Sequence, residues 1–218
     1  MPVVTALEIQ KRNKERVNVY LDNEYAFSLD IMAAAQLRKG QELDDNEIAD
    51  LRDQDDVTRA VDRAVRFLSY RPRSITEVRR NLAEKKVDDV VIDATIERLK
   101  NLGYLDDRSF AAYWVENRDQ FKPLSERALR YELRQKGIAD SIIKGVLDDL
   151  DEAGAAYRAA QGQVRRHRHK TQDEFRTKIS AFLQRRGFGY DVIREAVDQL
   201  ITEIENEEPD YFDVASEE

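Results

Sequence analysis

The stretch that decides the fold runs from Pro123 to Leu150 and reads PLSERALRYELRQKGIADSIIKGVLDDL. A proline followed closely by a serine marks a helix start, because proline cannot lie inside a helix and serine caps one well. Gly137 then predicts a tight turn, since a left-handed residue commonly ends a helix. After the turn, apolar positions share one face of a further helix, namely Ile142, Ile143, Leu147 and Leu150. The stretch therefore predicts two helices joined by a short turn.

The same pattern occurs twice more, about fifty residues upstream and about fifty residues downstream. The upstream copy has matching residues at Ser74, Leu82, Lys85, Val87, Val91, Ile92, Ile96 and Leu99. The downstream copy has matching residues at Leu183, Arg186, Gly187, Phe188, Val192, Ile193, Val197 and Leu200. Apolar and basic character is retained at these positions, which indicates an internal repeat.

Each copy is completed by a preceding helix, expected over residues 57–70, 107–120 and 153–168. Ser74 with Glu77, and Thr171 with Glu174, have the spacing of capping boxes at the next helix. The first copy has Lys86 where the others have glycine, so its turn is expected to be strained. Gly103 is expected to end the first copy, and Asp106 or Asp107 to cap the helix that follows.

Three short helices cannot each bury an apolar stripe alone, but stacked units share a continuous core. We therefore predict a mainly α fold of three tandem three-helix repeats, over residues 57–105, 106–150 and 151–202, forming an elongated curved solenoid. A globular bundle of the same helices is the structural alternative.

The two ends of the chain differ from the repeats. Residues 1–56 begin with short runs rich in Val, Tyr and Phe around Asp22-Asn23, which predicts a β-meander of two or three strands and then a short helix. Residues 203–218 contain only acidic charges, and we predict that they form a disordered tail.

Composition excludes several classes of protein. The 218 residues contain no cysteine, so disulfides, thiolate catalysis and cysteine-bound zinc are excluded. No apolar run is long enough to cross a membrane, and the first residues lack the pattern of a signal peptide, so a cytoplasmic protein is expected. There is no glycine-rich phosphate loop and no triad spacing. We expect neither enzymatic activity nor a cofactor.

The charge distribution indicates a binding face. The net charge is −8, but residues 57–105 carry 11 basic and 7 acidic groups, and residues 151–200 carry 10 and 7. The acidic excess lies at the two ends of the chain, so the repeats could meet an acidic partner. A tail that only keeps the protein in solution is the alternative explanation of the acidic end.

Candidate contact residues follow from this distribution. The first cluster is Arg71, Arg73, Arg79, Arg80 and Lys85 with Lys86, and the second is Arg165, Arg166 and Arg168 with His167, His169 and Lys170. Arg130 matches Arg79 in the second repeat, and Arg186 matches Lys85 in the third. Tyr70 is expected to be exposed beside the first cluster, whereas the aromatic residues from Tyr104 to Trp114 are expected mostly in the core. These side chains could contact carboxylates or phosphates, and a solvated helix face is the alternative. A metal site at His167 and His169 is not expected, because residues two apart do not face each other on a helix.

In combination, several of these segments resemble the RecX family. The segments are Tyr70-Arg71-Pro72-Arg73-Ser74, Leu102-Gly103-Tyr104-Leu105-Asp106-Asp107, Leu129-Arg130-Tyr131-Glu132-Leu133 and Arg186-Gly187-Phe188. The resemblance covers residues 57–200, and residues up to Asp30 resemble an extension that some members carry.

The resemblance implies a regulator of DNA repair and homologous recombination that binds the RecA–DNA filament and lowers its ATPase and strand-exchange activities. The expected partner is the RecA filament, with DNA as a second partner left open, no membrane contact, and a monomeric chain. A helical module with salt-dependent binding to the nucleic-acid backbone is one alternative, and a generic helical scaffold is another.

Overall fold

The computed structural model describes residues 1–212, which fall into two compact units, Met1–Leu105 and a second that begins at Asp106. The strands are β1 (Val4–Ile9), β2 (Arg16–Leu21) and β3 (Glu24–Asp30). The helices are α1 (Ile31–Ala34), α2 (Asp45–Leu68), α3 (Ile75–Glu84), α4 (Asp89–Asn101), α5 (Asp107–Phe121), α6 (Glu126–Gln135), α7 (Asp140–Leu147), α8 (Glu152–Gln161), α9 (Gln172–Arg185) and α10 (Tyr190–Glu207). A 3-10 helix, Val164–His167, lies between α8 and α9.

The N-terminal strands form an antiparallel sheet in the order β1-β2-β3. Asp22 and Asn23 join β2 to β3 with φ values of 49° and 70°, the left-handed pair that a two-residue hairpin turn requires. One face of the sheet is buried against the residues that follow, with Val4, Leu29 and Leu43 in its core. The predicted meander is confirmed, and it has three strands.

The expected boundary between residues 56 and 57 was wrong, because α2 runs through it. Asp44 and Glu47 form a capping box at its start, and no glycine or proline interrupts the 24 residues from Asp45 to Leu68. The first half of α2 packs on the sheet through Leu51, and the second half contributes Ala60 and Ala64 to the first repeat. One helix therefore contributes residues to two hydrophobic cores.

The three tandem three-helix repeats are confirmed. Within residues 1–212, α2–α4, α5–α7 and α8–α10 each supply one repeat with its own buried cluster. The matched residues Ile92, Ile143 and Ile193 are all buried, at the same position of the third helix. The residue before each of them is half-buried in all three copies. The curvature that we predicted for the stacked units stays a prediction.

The turn between the second and third helix of each repeat has the predicted left-handed residue. Its φ is 59° at Lys86, 78° at Gly137 and 93° at Gly187. Only the first repeat places a side chain there, and an L-residue in this region carries strain of about 1 kcal/mol. The expected strained turn is confirmed.

The second and third repeats meet at a close contact. The backbone N–H of Ser125 donates to the carbonyl of Arg186 at 3.3 Å. A Cβ added to Gly187 would lie 2.5 Å from Ser125 Oγ and 3.2 Å from Ala128 Cβ. Only glycine therefore fits at this turn, for its φ and for its space.

Two expectations near the C-terminus were wrong. The first helix of the third repeat ends at Gln161, before a 3-10 helix, and not at residue 168. The expected tail is ordered from residue 203 to 212, because α10 continues to Glu207 and Tyr211 is buried in the third core. A hydrogen bond from the Tyr157 hydroxyl to Glu203 raises the pKa of Tyr157 to about 12. Residues 213–218 lie outside the described part of the chain.

Candidate partner-binding surface

Arg71 is engaged by the capping box of α3. Its guanidinium forms two hydrogen bonds with the Glu77 carboxylate, at 2.8 and 3.2 Å, and a third with the carbonyl of Pro72. Glu77 also accepts from the backbone N–H of Ser74 and so completes the capping box. Arg71 therefore stabilises the start of a helix, and a partner could reach its guanidinium only by competing with Glu77.

Arg73 packs within its own repeat. Its guanidinium carbon lies 4.1 Å from the centre of the Phe67 ring, a cation–π contact. Its Nε is buried without a hydrogen-bond partner, and desolvation and the charge of Arg71 lower the pKa of its guanidinium. This side chain is half-buried and not an exposed cation.

The rest of the first cluster is exposed. Arg79 forms an ion pair with Asp93. Arg80 and Lys85 are exposed, and they form no ion pair with residues 1–212. Tyr70 is 83% exposed, as expected. Arg80, Lys85 and the likewise exposed Lys86 are thus the members of this cluster that a partner can reach directly, together with Tyr70 beside them.

Arg130 and Arg186 have internal partners. Arg130 pairs with Glu126 one helical turn away, at 2.5 Å. Arg186 donates to the carbonyl of Pro123 at 2.9 Å and stacks over Phe182 at 4.6 Å. Burial lowers the pKa of the Arg186 guanidinium. Arg186 therefore holds the third repeat to the second.

The second basic cluster lies on the 3-10 helix and the turn after it, which we call the basic loop (residues 164–170). Arg165 and Arg166 are exposed and form no ion pair within the described chain. Arg168 pairs with Glu208 at 2.7 Å, and the Tyr211 hydroxyl donates to the carbonyl of Val164 at 2.5 Å. The segment after α10 therefore packs on this loop and neutralises part of its charge.

One of the two histidines of the basic loop is packed within the third repeat. His167 is packed against the edge of Phe175, and burial, with the nearby cations Lys170, Lys178 and Arg166, lowers its pKa. Among residues 1–212 no group of three His, Asp or Glu side chains could hold a metal ion.

The four aromatic residues from Tyr104 to Trp114 divide between the core and the surface. Phe110 is buried and Trp114 packs beside it, donating from Nε1 to Glu132 at 2.8 Å. Tyr104 and Tyr113 are instead exposed, at 58% and 41%. The expectation that these residues are mostly core was therefore right for two of the four.

Sequence reasoning missed a row of arginines on α2. Arg52, Arg59, Arg63 and Arg66 are spaced by 7, 4 and 3 residues, a pattern that places them on one face of the helix. This periodicity was visible in the sequence, but the assumed boundary at residue 56 divided the row between two domains. In the structure the four arginines line one groove of about 790 Å³ between α2 and the sheet.

Comparison with known proteins supports the family resemblance noted in the sequence. Four family models match in order: the regulatory protein RecX N-terminal domain at residues 2–44, and the first, second and third RecX three-helix domains at residues 60–99, 106–147 and 151–197. No helix within residues 1–212 has the length and apolar character needed to cross a membrane.

Individual relatives match over most of their length. Regulatory protein RecX of Bacillus subtilis (strain 168) is 38% identical over 213 residues, covering 95% of this chain and 80% of the relative. Regulatory protein RecX of Clostridium botulinum (strain Alaska E43 / Type E3) is 31% identical, over 92% of this chain and 97% of the relative. A solved structure, a crystal structure of regulatory protein RecX, is 28% identical, with a TM-score of 0.72 over 91% of this chain and all of that one. These relatives are named as regulatory proteins and not as enzymes. The chain therefore belongs to the RecX family of regulatory proteins.

Proposed function

We propose that this chain binds the filament that RecA forms on DNA and lowers its ATPase and strand-exchange activities during DNA repair and recombination. The observation that carries the proposal is the match of all four RecX domains, in order, within one chain. The family resemblance implies RecA as the partner. Such a regulator acts as a monomer in the cytoplasm and needs no cofactor.

The proposed mechanism requires no chemistry by this chain. A protein that binds one state of a filament more tightly than another shifts the filament toward that state, by the difference between the two binding free energies. If the favoured state hydrolyses ATP slowly, turnover falls. The exposed cations Arg80, Lys85, Arg165 and Arg166, with Tyr70, are the contact residues that we propose.

The test is the DNA-dependent ATPase rate of RecA measured with increasing amounts of the purified chain. We expect the rate to fall at or below one chain per RecA subunit, and the chain alone to hydrolyse no ATP. An unchanged RecA rate over a wide titration, or strong hydrolysis by the chain itself, would contradict the proposal. A heat-denatured sample of the same chain controls for effects of added protein.

A further inference from the structure

The groove beside α2 has the chemistry of a polyanion site. It lies between the helix and the strands β2 and β3, and its lining includes five arginines, three aspartates and the polar side chains Gln10, Asn13 and Ser28. Because a helix rises about 1.5 Å per residue, the row from Arg52 to Arg66 extends for about 21 Å. A row of this length can contact several charges along one extended ligand.

Two of the aspartates in the groove are already neutralised. Asp55 is buried and accepts two hydrogen bonds from Arg16, at 2.5 and 2.8 Å. Asp56 pairs with Arg59 at 3.6 Å. Arg63 and Arg66 are exposed and form no ion pair with residues 1–212. Among the groove-lining residues, Asp62 is then the one remaining acidic group that could offset their charge. The groove therefore has uncompensated positive charge in a protein whose net charge is −8.

A smaller pocket of about 230 Å³ continues this surface across α2. It shares Asp56, Arg59 and Arg63 with the groove and adds the charged residues Lys85, Lys86 and Asp88, a further net positive charge. Lys86 is the residue with φ of 59°, at the turn position where the other two repeats have glycine. The first repeat thus carries backbone strain at a position where the side chain adds a cation to this pocket, and strain of this kind is concentrated at functional sites.

We propose that this groove binds single-stranded nucleic acid through its sugar–phosphate backbone, with Tyr25 as a platform on which one base stacks. Tyr25 lines the groove and is 59% exposed. Cations in a row beside an exposed aromatic ring are the combination that single-stranded nucleic-acid sites use. The lining is mostly polar, with Ala26 and Phe27 as its carbon-only side chains, and the exposed ring of Tyr25 offers a flat face on which a nucleobase stacks and an acidic side chain does not. The site needs no RecA, and so it goes beyond the regulation proposed above.

The test is fluorescence anisotropy of a labelled oligothymidylate with the full chain, at two salt concentrations and without RecA. The groove variant is Arg63→Glu/Arg66→Glu. Its matched control is Arg185→Glu/Arg194→Glu, which changes the charge equally at two exposed arginines of the third repeat that form no ion pair within residues 1–212. We expect the groove variant to lose at least about tenfold in affinity, and its log–log salt slope to fall by about 1.4, for two lost phosphate contacts. The control should bind within about twofold of the parent, since it leaves the groove's contacts in place.

Two single variants keep the test independent of folding. Tyr25→Ala should weaken binding by about tenfold through lost stacking. Lys86→Gly should weaken binding while the thermal midpoint stays level or rises, because glycine relieves the left-handed turn. Equal losses in the groove variant and the control, or unchanged affinity in the groove variant, Tyr25→Ala and Lys86→Gly, overturn the proposal. Binding of a labelled oligoglutamate as tight as that of the oligothymidylate also overturns it, and would assign the groove to an acidic protein segment.

Discussion

At the scale of single residues, a strict requirement for glycine lies where the second and third repeats touch. Gly187 follows α9 with φ of 93°, and its α-carbon faces the buried Ser125 that caps α6. Gly103 has a similar φ of 74°, but a Cβ added there would meet nothing within 4 Å. Substitution of Gly103 therefore tests backbone strain alone, whereas substitution of Gly187 tests backbone strain together with steric contact.

We predict that Gly103→Ala destabilises the chain by about 1 kcal/mol and Gly187→Ala by about 3 kcal/mol. The first substitution adds only the strain of a left-handed alanine, whereas the second also pushes on Ser125. Urea unfolding followed by circular dichroism measures both, with the free energy of unfolding taken from the midpoint and slope. Equal losses for the two variants would show that the contact with Ser125 relaxes freely.

At the scale of elements, the sequence predicted what depends on local pattern. The apolar stripe of Ile142, Ile143 and Leu147 and its copies predicted the third helix of every repeat, although α7 ends before Leu150, which was also expected on it. The capping box of Ser74 and Glu77 was found as expected. The length of α2 was missed because a boundary was assumed where the charge balance changes, although no residue there breaks a helix.

The site was predicted less well than the fold, for a physical reason. Sequence shows that a residue is basic, but not which carboxylate or ring it meets in the fold. Arg71 and Glu77 lie six residues apart, and Arg186 and Pro123 lie 63 apart. Neither hydrogen bond can therefore be predicted from the spacing of residues along one helix. The disorder predicted for residues 203–212 was likewise wrong, because burial of Tyr211 outweighs the acidic composition around it.

The basic loop should make the stability of the third repeat dependent on pH. Burial and nearby cations lower the pKa of His167, so the unfolded chain takes up a proton at a higher pH than the folded chain does. Stability is then constant above the unfolded value of about 6.5 and falls as the pH drops below it toward the folded value. We predict that His167→Phe reduces this loss between about pH 7 and pH 5.5.

Thermal unfolding at several pH values in that window measures the effect. Phenylalanine keeps a ring beside Phe175 and cannot be protonated, so the variant isolates the titration from the packing. His169→Asn is the matched control at the neighbouring histidine, since asparagine tolerates the left-handed φ of 60° found there. If the pH dependence is the same in His167→Phe as in the parent, other groups are responsible for it.

At the scale of the whole molecule, an acidic protein presents exposed cations in its first and third repeats. Arg80, Lys85, Arg165 and Arg166 form no ion pair with residues 1–212, whereas most of the other candidate arginines are held by carboxylates or carbonyls. An exposed ion pair contributes only about 0–1 kcal/mol, so one substitution should change partner binding little. Several such contacts together give a salt-dependent interface.

The last prediction concerns these four exposed cations together. We expect Arg80→Glu/Lys85→Glu and Arg165→Glu/Arg166→Glu each to weaken binding to the RecA filament by about fivefold, and the quadruple variant by the product of the two, because sites that share no interaction partner contribute additively to the binding free energy. Co-sedimentation with filaments at two salt concentrations measures it, and the quadruple variant should show the weaker salt dependence. Arg71 and Arg73 are unsuited to this test, because reversing either charge disturbs the capping box or the packing on Phe67. A quadruple variant with parental helicity and parental affinity would mean that these cations form a solvated face, and that the filament contacts the chain elsewhere.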